Sequence, residues 1–238
     1  MYDWEMPRPY ASPLRAEQAR RTRLAIIEAA FRLFLAHGYS RTSIRAIAQE
    51  AGVSERTVYV AFKDKISIIT AIGDRERFGT EEGDGVAQFI ESLRTIPDPM
   101  ERLRMAVHQM AVSRQRGLAL IARIVRAEAQ SDPRVRQFIA AAVDYRHRGT
   151  RIYAEVILGR ALPDGPSTEQ LVDELEAIFN EETYLMLVGE RGWTHERYEA
   201  YIVDMCLVAL QRRGIELPGV VEAKRGSERG EGPATVGA

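Results

Sequence analysis

The stretch that most restricts this 238-residue chain is TSIRAIAQEAGVSERTVYVAFKDK, Thr42 to Lys65. Ile44, Ile47, Ala48 and Ala51 recur at helical spacing and make one apolar stripe. Thr42 or Ser43 can cap that helix by accepting from its free backbone N–H groups. Gly52 follows the last periodic residue, where a left-handed backbone ends a helix without a Cβ clash. Ser54 can cap a second helix, with Val53 at the corner and Val58, Ala61 and Phe62 turned inward. Glu55, Arg56, Thr57, Tyr59 and Val60 remain on its outer and leading face. Two short helices around a Gly-containing turn form a helix-turn-helix, whose second helix enters a DNA major groove.

The charge distribution agrees with that assignment. Residues 1–65 carry 11 Lys/Arg against 7 Asp/Glu, net +4, and the remainder carries 22 against 27, net −5. A basic first quarter on an acidic remainder suits a DNA reader joined to a part that does not touch DNA. The single cysteine, Cys206, excludes an intramolecular disulfide and a Cys-rich zinc site, and its apolar surroundings predict a buried thiol. No apolar run reaches about 18 residues, and the first 15 residues lack the apolar centre of a signal peptide, so a cytoplasmic protein without a membrane span is expected.

Periodicity elsewhere is helical throughout, which predicts an all-α chain. A disordered arm is expected over 1–15, a helix-turn-helix DNA-binding domain over 16–65, a helical ligand-binding and dimerisation domain over 66–215 and a disordered tail over 216–238. Helices are predicted over roughly 16–37, 65–78, 86–94, 100–114, 118–129 and 133–158. Ser167-Thr168-Glu169-Gln170 reads as a capping box opening one helix to about Glu190, and Thr194 caps the last, to about Arg213.

Residues 23–65 resemble the TetR (tetracycline-repressor-like) family of transcriptional regulators. The resemblance rests on the first-helix pattern, Gly38-Tyr39, Thr42-Ser43-Ile44-Arg45, Ala51-Gly52-Val53-Ser54, Thr57-Val58-Tyr59 and Lys65. At Val60-Ala61-Phe62 the family more commonly has Tyr/Trp-His-Phe, so Ala61 cannot supply the phosphate contact that a histidine often makes there. The resemblance implies a symmetric homodimer joined by the last two long helices and reading a palindromic operator in double-stranded DNA. It also implies a cavity for a small-molecule effector that releases the DNA by changing the separation of the two heads. A repressor follows most directly; an activator with the same head, or an effector-binding protein with a non-functional head, are the alternatives.

Arg45 and Arg56 are the expected base readers, since a guanidinium spans guanine O6 and N7, and Glu55 can accept from cytosine N4. Thr42, Thr57, Tyr59 and Lys65 are the expected phosphate partners. For the effector, His108, Phe138, Tyr145, Phe179, Asn180 and Tyr184 are the candidates, with Asn180 notable as an amide inside an apolar helix. The four isolated histidines and the lack of a phosphate loop or nucleophile elbow predict no enzyme, no metal and no cofactor, and Asp144 with His147 reads as a solvated helix face. Arg56→Ala should relax base preference, at about 1–3 kcal/mol per lost bidentate contact. Tyr59→Ala should instead weaken binding on all sequences alike. A selected binding motif unchanged by Arg56→Ala would remove that residue from the readers.

Overall fold

The computed structural model describes residues 13–79 and 84–217, and every regular element among them is helical. The arm up to residue 12, most of the GTEEGDG loop and the tail from 218 lie outside the described residues. Two compact units divide after Gly73, Met1–Gly73 and Asp74–Ala238, rather than after Lys65.

In the first unit, α1 (Pro13–His37) begins with the proline at its first turn. Its buried face is Ile26, Ile27, Ala29, Ala30 and Phe34. α2 (Ile44–Glu50) and α3 (Glu55–Ala61) follow, each capped by a serine: Ser43 Oγ accepts from Ala46 N–H and Ser54 Oγ from Thr57 N–H. Gly52, at φ +68°, makes the left-handed turn between them. Ile47, Val58 and Phe62 are buried from α2, α3 and the residue after it. Ile68, Ile69 and Ile72 are buried on α4 (Lys65–Phe78).

The second unit contains α5 (Gly85–Arg94), α6 (Pro99–Gln115), α7 (Leu118–Glu128), α8 (Pro133–Leu158), α9 (Pro166–Ile178), α10 (Glu181–Tyr184) and α11 (His195–Gln211). Its core is built from stripes at helical spacing. Leu103, Val107 and Ala111 come from α6, Leu171 and Leu175 from α9, and Tyr198, Ile202, Cys206 and Leu210 from α11. Each large side chain among them contributes about 1.5–3 kcal/mol by leaving water. Burial pushes the Cys206 thiol up to about 12, so it is a packing group and not a nucleophile.

One long helix predicted to reach Glu190 is two helices and a π turn. α9 stops at Ile178, and Asn180 caps α10 through Oδ1, which accepts from Glu182 N–H at 2.8 Å. The break frees the Phe179 carbonyl, and a buried cation takes it: the Arg114 guanidinium of α6 donates to it. The turn Leu185–Glu190 is then wound as a π-helix. The expected capping box is also absent, because α9 starts at Pro166 and the Thr168 hydroxyl donates to the Pro163 carbonyl at 2.6 Å.

Arg102 closes the end of α8. It donates to Val156 O at 2.8 Å and Ile157 O at 3.2 Å, carbonyls of the last turn of the helix, and to Ile96 O at 2.7 Å. Gly159 is required beside it twice over, since its φ is +66° and a Cβ there would lie 2.9 Å from the guanidinium.

The face that carries Asp144 and His147 is solvated, but His147 is paired on it. Its Nε2 lies 3.0 Å from Glu169 and its Nδ1 3.1 Å from Glu176, so the imidazole of α8 is clamped between two carboxylates of α9. The hydrogen bond it donates to the Glu169 carboxylate raises its pKa above the ordinary 6.5, with the Glu176 charge acting in the same direction. A raised folded-state value stabilises the protein fully below the unfolded pKa and loses that stabilisation as pH rises through the folded one. The thermal midpoint should therefore fall as pH rises from the ordinary histidine value through the raised one. His147→Gln should flatten that segment of the profile in calorimetry.

Candidate nucleic-acid interface

α2 and α3 leave one polar face open. Arg45 on α2 is exposed, and so are Glu55, Arg56, Tyr59 and Val60 on α3 and Lys63 just beyond it. Tyr59 is 57% exposed and Val60 81%, an unusual level for such side chains on a helix whose opposite face is fully buried at Val58. Its two helix starts are fixed by serine caps. Ser54 Oγ also lies 2.8 Å from Thr57 Oγ1, so the Thr57 hydroxyl is partly engaged in that cap. Guanidinium groups and an exposed β-branched side chain on one helix face match base edges and a thymine methyl in a major groove. Val60 and Lys63 share this exposed face without being among the expected contacts; their signal in the sequence is that they fall outside the Val58 and Phe62 stripe.

Two expected phosphate partners point inward. Thr42 is 1% exposed, with its hydroxyl 2.8 Å from Gly38 O and 3.3 Å from Leu33 O, so it ties down the end of α1. Ser43 alone caps α2. Lys65 turns its ammonium onto the same loop, donating to Tyr39 O at 2.8 Å and Thr42 O at 3.0 Å, and lies 4.0 Å from the centre of the Tyr39 ring. These donors add charged and hydroxyl hydrogen bonds to the backbone acceptors of the loop, Tyr39 O also accepting from Thr42 N–H at 3.3 Å.

The basic start of α1 is similarly engaged. Arg20 and Arg21 both bond Glu17, and those hydrogen bonds pull its carboxyl down to about 2. Arg23 donates to Ala61 O at 2.9 Å and lies over the Phe62 ring at 4.1 Å, so it holds the end of α3 against α1. Arg45 and Arg56 thus remain as the expected readers with exposed side chains.

Of the effector candidates, two are on the surface. His108 pairs with Glu199 at 3.0 Å with its side chain 56% exposed, and Tyr145 is also 56% exposed. Asn180 uses its amide oxygen as a helix cap, a role created by the break after α9. Phe138 and Phe179 are half-buried. Tyr184 is buried, edge-on to Tyr198 with ring centres 5.2 Å apart. Among the described residues no group of three or more His, Cys, Asp or Glu could hold a metal, and no helix is long and apolar enough to cross a membrane.

Residues 26–72 match the family profile of bacterial regulatory proteins, tetR family. That segment is a TetR-type helix-turn-helix domain. Beyond the head the likeness thins. The transcriptional regulator TtgR of Pseudomonas putida is 35% identical over 94 residues, 40% of this chain and 43% of that protein. The transcriptional repressor BepR of Brucella suis is 40% identical over 65 residues, 27% of this chain and 31% of that one. The chain thus spans less than half the length of these curated relatives. Among solved structures, the regulator FadR from Bacillus subtilis in complex with stearoyl-CoA superposes with a TM-score of 0.59 at 18% identity, covering 77% of this chain and 96% of that chain. A TetR-family regulator from Mesorhizobium loti gives 0.60 at 20%, covering 82% and 97%. At those identities the fold alone is shared.

Lys65→Met should lower stability by about 2 kcal/mol, the scale for losing charged hydrogen bonds to part-buried acceptors. Arg45→Ala, at an exposed position, should change stability by less than about 0.5 kcal/mol. Urea unfolding of both variants checks the contrast; equal midpoints would show that the Lys65 staple carries no weight.

Proposed function

We propose that this protein is a ligand-responsive, DNA-binding transcriptional repressor that acts as a homodimer on a palindromic operator and is released by a small molecule. The observation that carries the reading is the open face of α2 and α3, where Arg45, Arg56, Tyr59 and Val60 stand exposed on a packed helix-turn-helix head. Arg45 and Arg56 read bases, with Glu55 accepting at cytosine. Thr57, Tyr59 and Lys63 meet phosphates and hold register.

The homodimer uses the outer faces of α9 and α11 together with the π turn. Met186, Tyr201 and Val208 are exposed large apolar side chains of this region. Two heads on one DNA face, about 34–36 Å apart, combine modest affinities. Effector binding belongs to the interior of the second unit, around Phe179 and Tyr184. The stearoyl-CoA bound to the Bacillus subtilis regulator supports a ligand in this fold, and the Brucella suis relative, a transcriptional repressor, supports the direction of control. The site of action is the cytoplasm, where operator DNA is found.

Fluorescence anisotropy on DNA flanking the protein's own gene tests the reading. Binding should be saturable, should weaken with added salt at a logarithmic slope of about −0.9 per phosphate neutralised, and should fall at least tenfold in Arg45→Ala/Arg56→Ala. No binding to any such fragment at low salt would exclude a DNA-binding role.

A further inference from the structure

Arg114 and Tyr198 are anomalous within the second unit. Arg114 is 6% exposed and Tyr198 is 0% exposed, yet Arg114 Nε and Tyr198 Oη are buried with no hydrogen-bond partner. The other guanidinium nitrogens of Arg114 are engaged, with Nη1 donating to Met110 O at 3.1 Å and Nη2 to Phe179 O. That leaves a phenol O–H and one N–H of a cation buried against the same Phe179–Tyr184 segment, Arg114 through the Phe179 carbonyl and Tyr198 through the Tyr184 ring. Native interiors rarely leave such donors without an acceptor, because each costs the full desolvation of the group.

The charge around them has the same sign. Glu181 is the nearby carboxylate, and it already pairs with Arg126 at 2.8 Å while facing Arg114. Burial pushes the Glu181 carboxyl up, but Arg114 and Arg126 together more than reverse this, so it remains ionised. One anion thus serves two cations, and Arg77 adds a further positive neighbour to Arg114. The surroundings are otherwise apolar, with Met110, Ile178, Phe179, Tyr184 and Ile202 in or against the core. All of this gathers where the chain departs from regular helix, at the break after Ile178 and the π turn after Tyr184. Such interruptions are often found at functional sites.

We infer that Arg114 Nε–H and Tyr198 Oη–H form the anchor for the carboxylate of a small apolar monocarboxylic acid, and that this acid is the effector class of the protein. A carboxylate oxygen accepts from both donors and balances the excess positive charge. A singly charged group is cheaper to bring into a dry interior than a phosphate dianion. The apolar body of the acid then lies among the aromatic and aliphatic side chains already named. This inference rests on the effector-binding reading and gives it a chemistry.

Tyr198→Phe tests it before the acid itself is identified. In the full-length unliganded protein, Tyr198→Phe should leave the thermal midpoint unchanged or raise it, since it removes an unpaired hydroxyl. A lowered midpoint would mean that the hydroxyl has a protein or water partner, and would overturn the anchor. Calorimetric titration then compares straight-chain monocarboxylates from butanoate to decanoate with the matching primary alcohols. Wild type should bind at least one acid more tightly than its alcohol. Tyr198→Phe should weaken that acid on the order of tenfold and leave the alcohol unchanged. Acids no better than alcohols at every length, or equal acid binding by Tyr198→Phe, would also overturn it. Anisotropy with the operator fragment keeps the two readings apart. DNA binding with no acid binding sinks the anchor alone, whereas acid binding that leaves DNA affinity unchanged sinks release by effector and leaves the anchor standing.

Discussion

The geometry of the helix-turn-helix head depends on one cation at one loop. Lys65 donates to the carbonyls of Tyr39 and Thr42, 26 and 23 residues earlier in the chain, and packs on the Tyr39 ring. Tyr39 in turn stacks on Phe34 of α1 with ring centres 5.6 Å apart. Thr42 closes the same loop from below through its hydroxyl. The position where Ser43 opens α2 is therefore set, and Gly52 then sets the direction of α3. Arg45 and Arg56 are held in place by residues that need never touch DNA themselves. A family-wide residue pattern does not separate the two roles, because a lysine that fixes the loop and a lysine that holds a phosphate leave the same letter in the sequence.

The second unit has the opposite problem, a surplus of buried donors. Most of its polar groups are matched: Arg102 serves the last carbonyls of α8, Arg213 pairs with Glu174 at 2.9 Å, and His147 bridges two glutamates. Arg114 is only half matched, although it sits in the core beside Tyr198. A helix that continued from Ile178 to Glu190 would keep the Phe179 carbonyl for itself. Breaking it there gives Arg114 an acceptor and gives Asn180 a capping role. The broken helix and the buried arginine are thus one arrangement.

Much of the fold is legible in the residue order. Capping serines, Gly52 and the starts of α6, α8 and α11 at a proline or Asp/Thr cap follow from interactions within four residues, and they locate those helix ends to within a few positions. The apolar stripes are nearly as plain. In the reading face, Arg45, Arg56 and Tyr59 emerge as the residues left over once the stripe is assigned. Thr42 and Lys65 do not, because their partners lie 4 to 26 residues away across a loop. Asn180 and His108 escape for the same reason: an amide is drawn to a cap created by a distant arginine, and an imidazole to a glutamate on another helix.

By itself the sequence determined that this chain is helical, where most helices begin, and that its first quarter is a helix-turn-helix of the TetR family. Those properties come from periodicity and caps, which are local. Only the tertiary structure decided which donors face inward, where one long apolar segment breaks in two, and that Arg114 and Tyr198 are buried with hydrogen-bonding capacity unmet. Those outcomes depend on which acceptors packing brings within about 3 Å across large sequence separations, and the order of residues along the chain does not encode that distance in any local pattern.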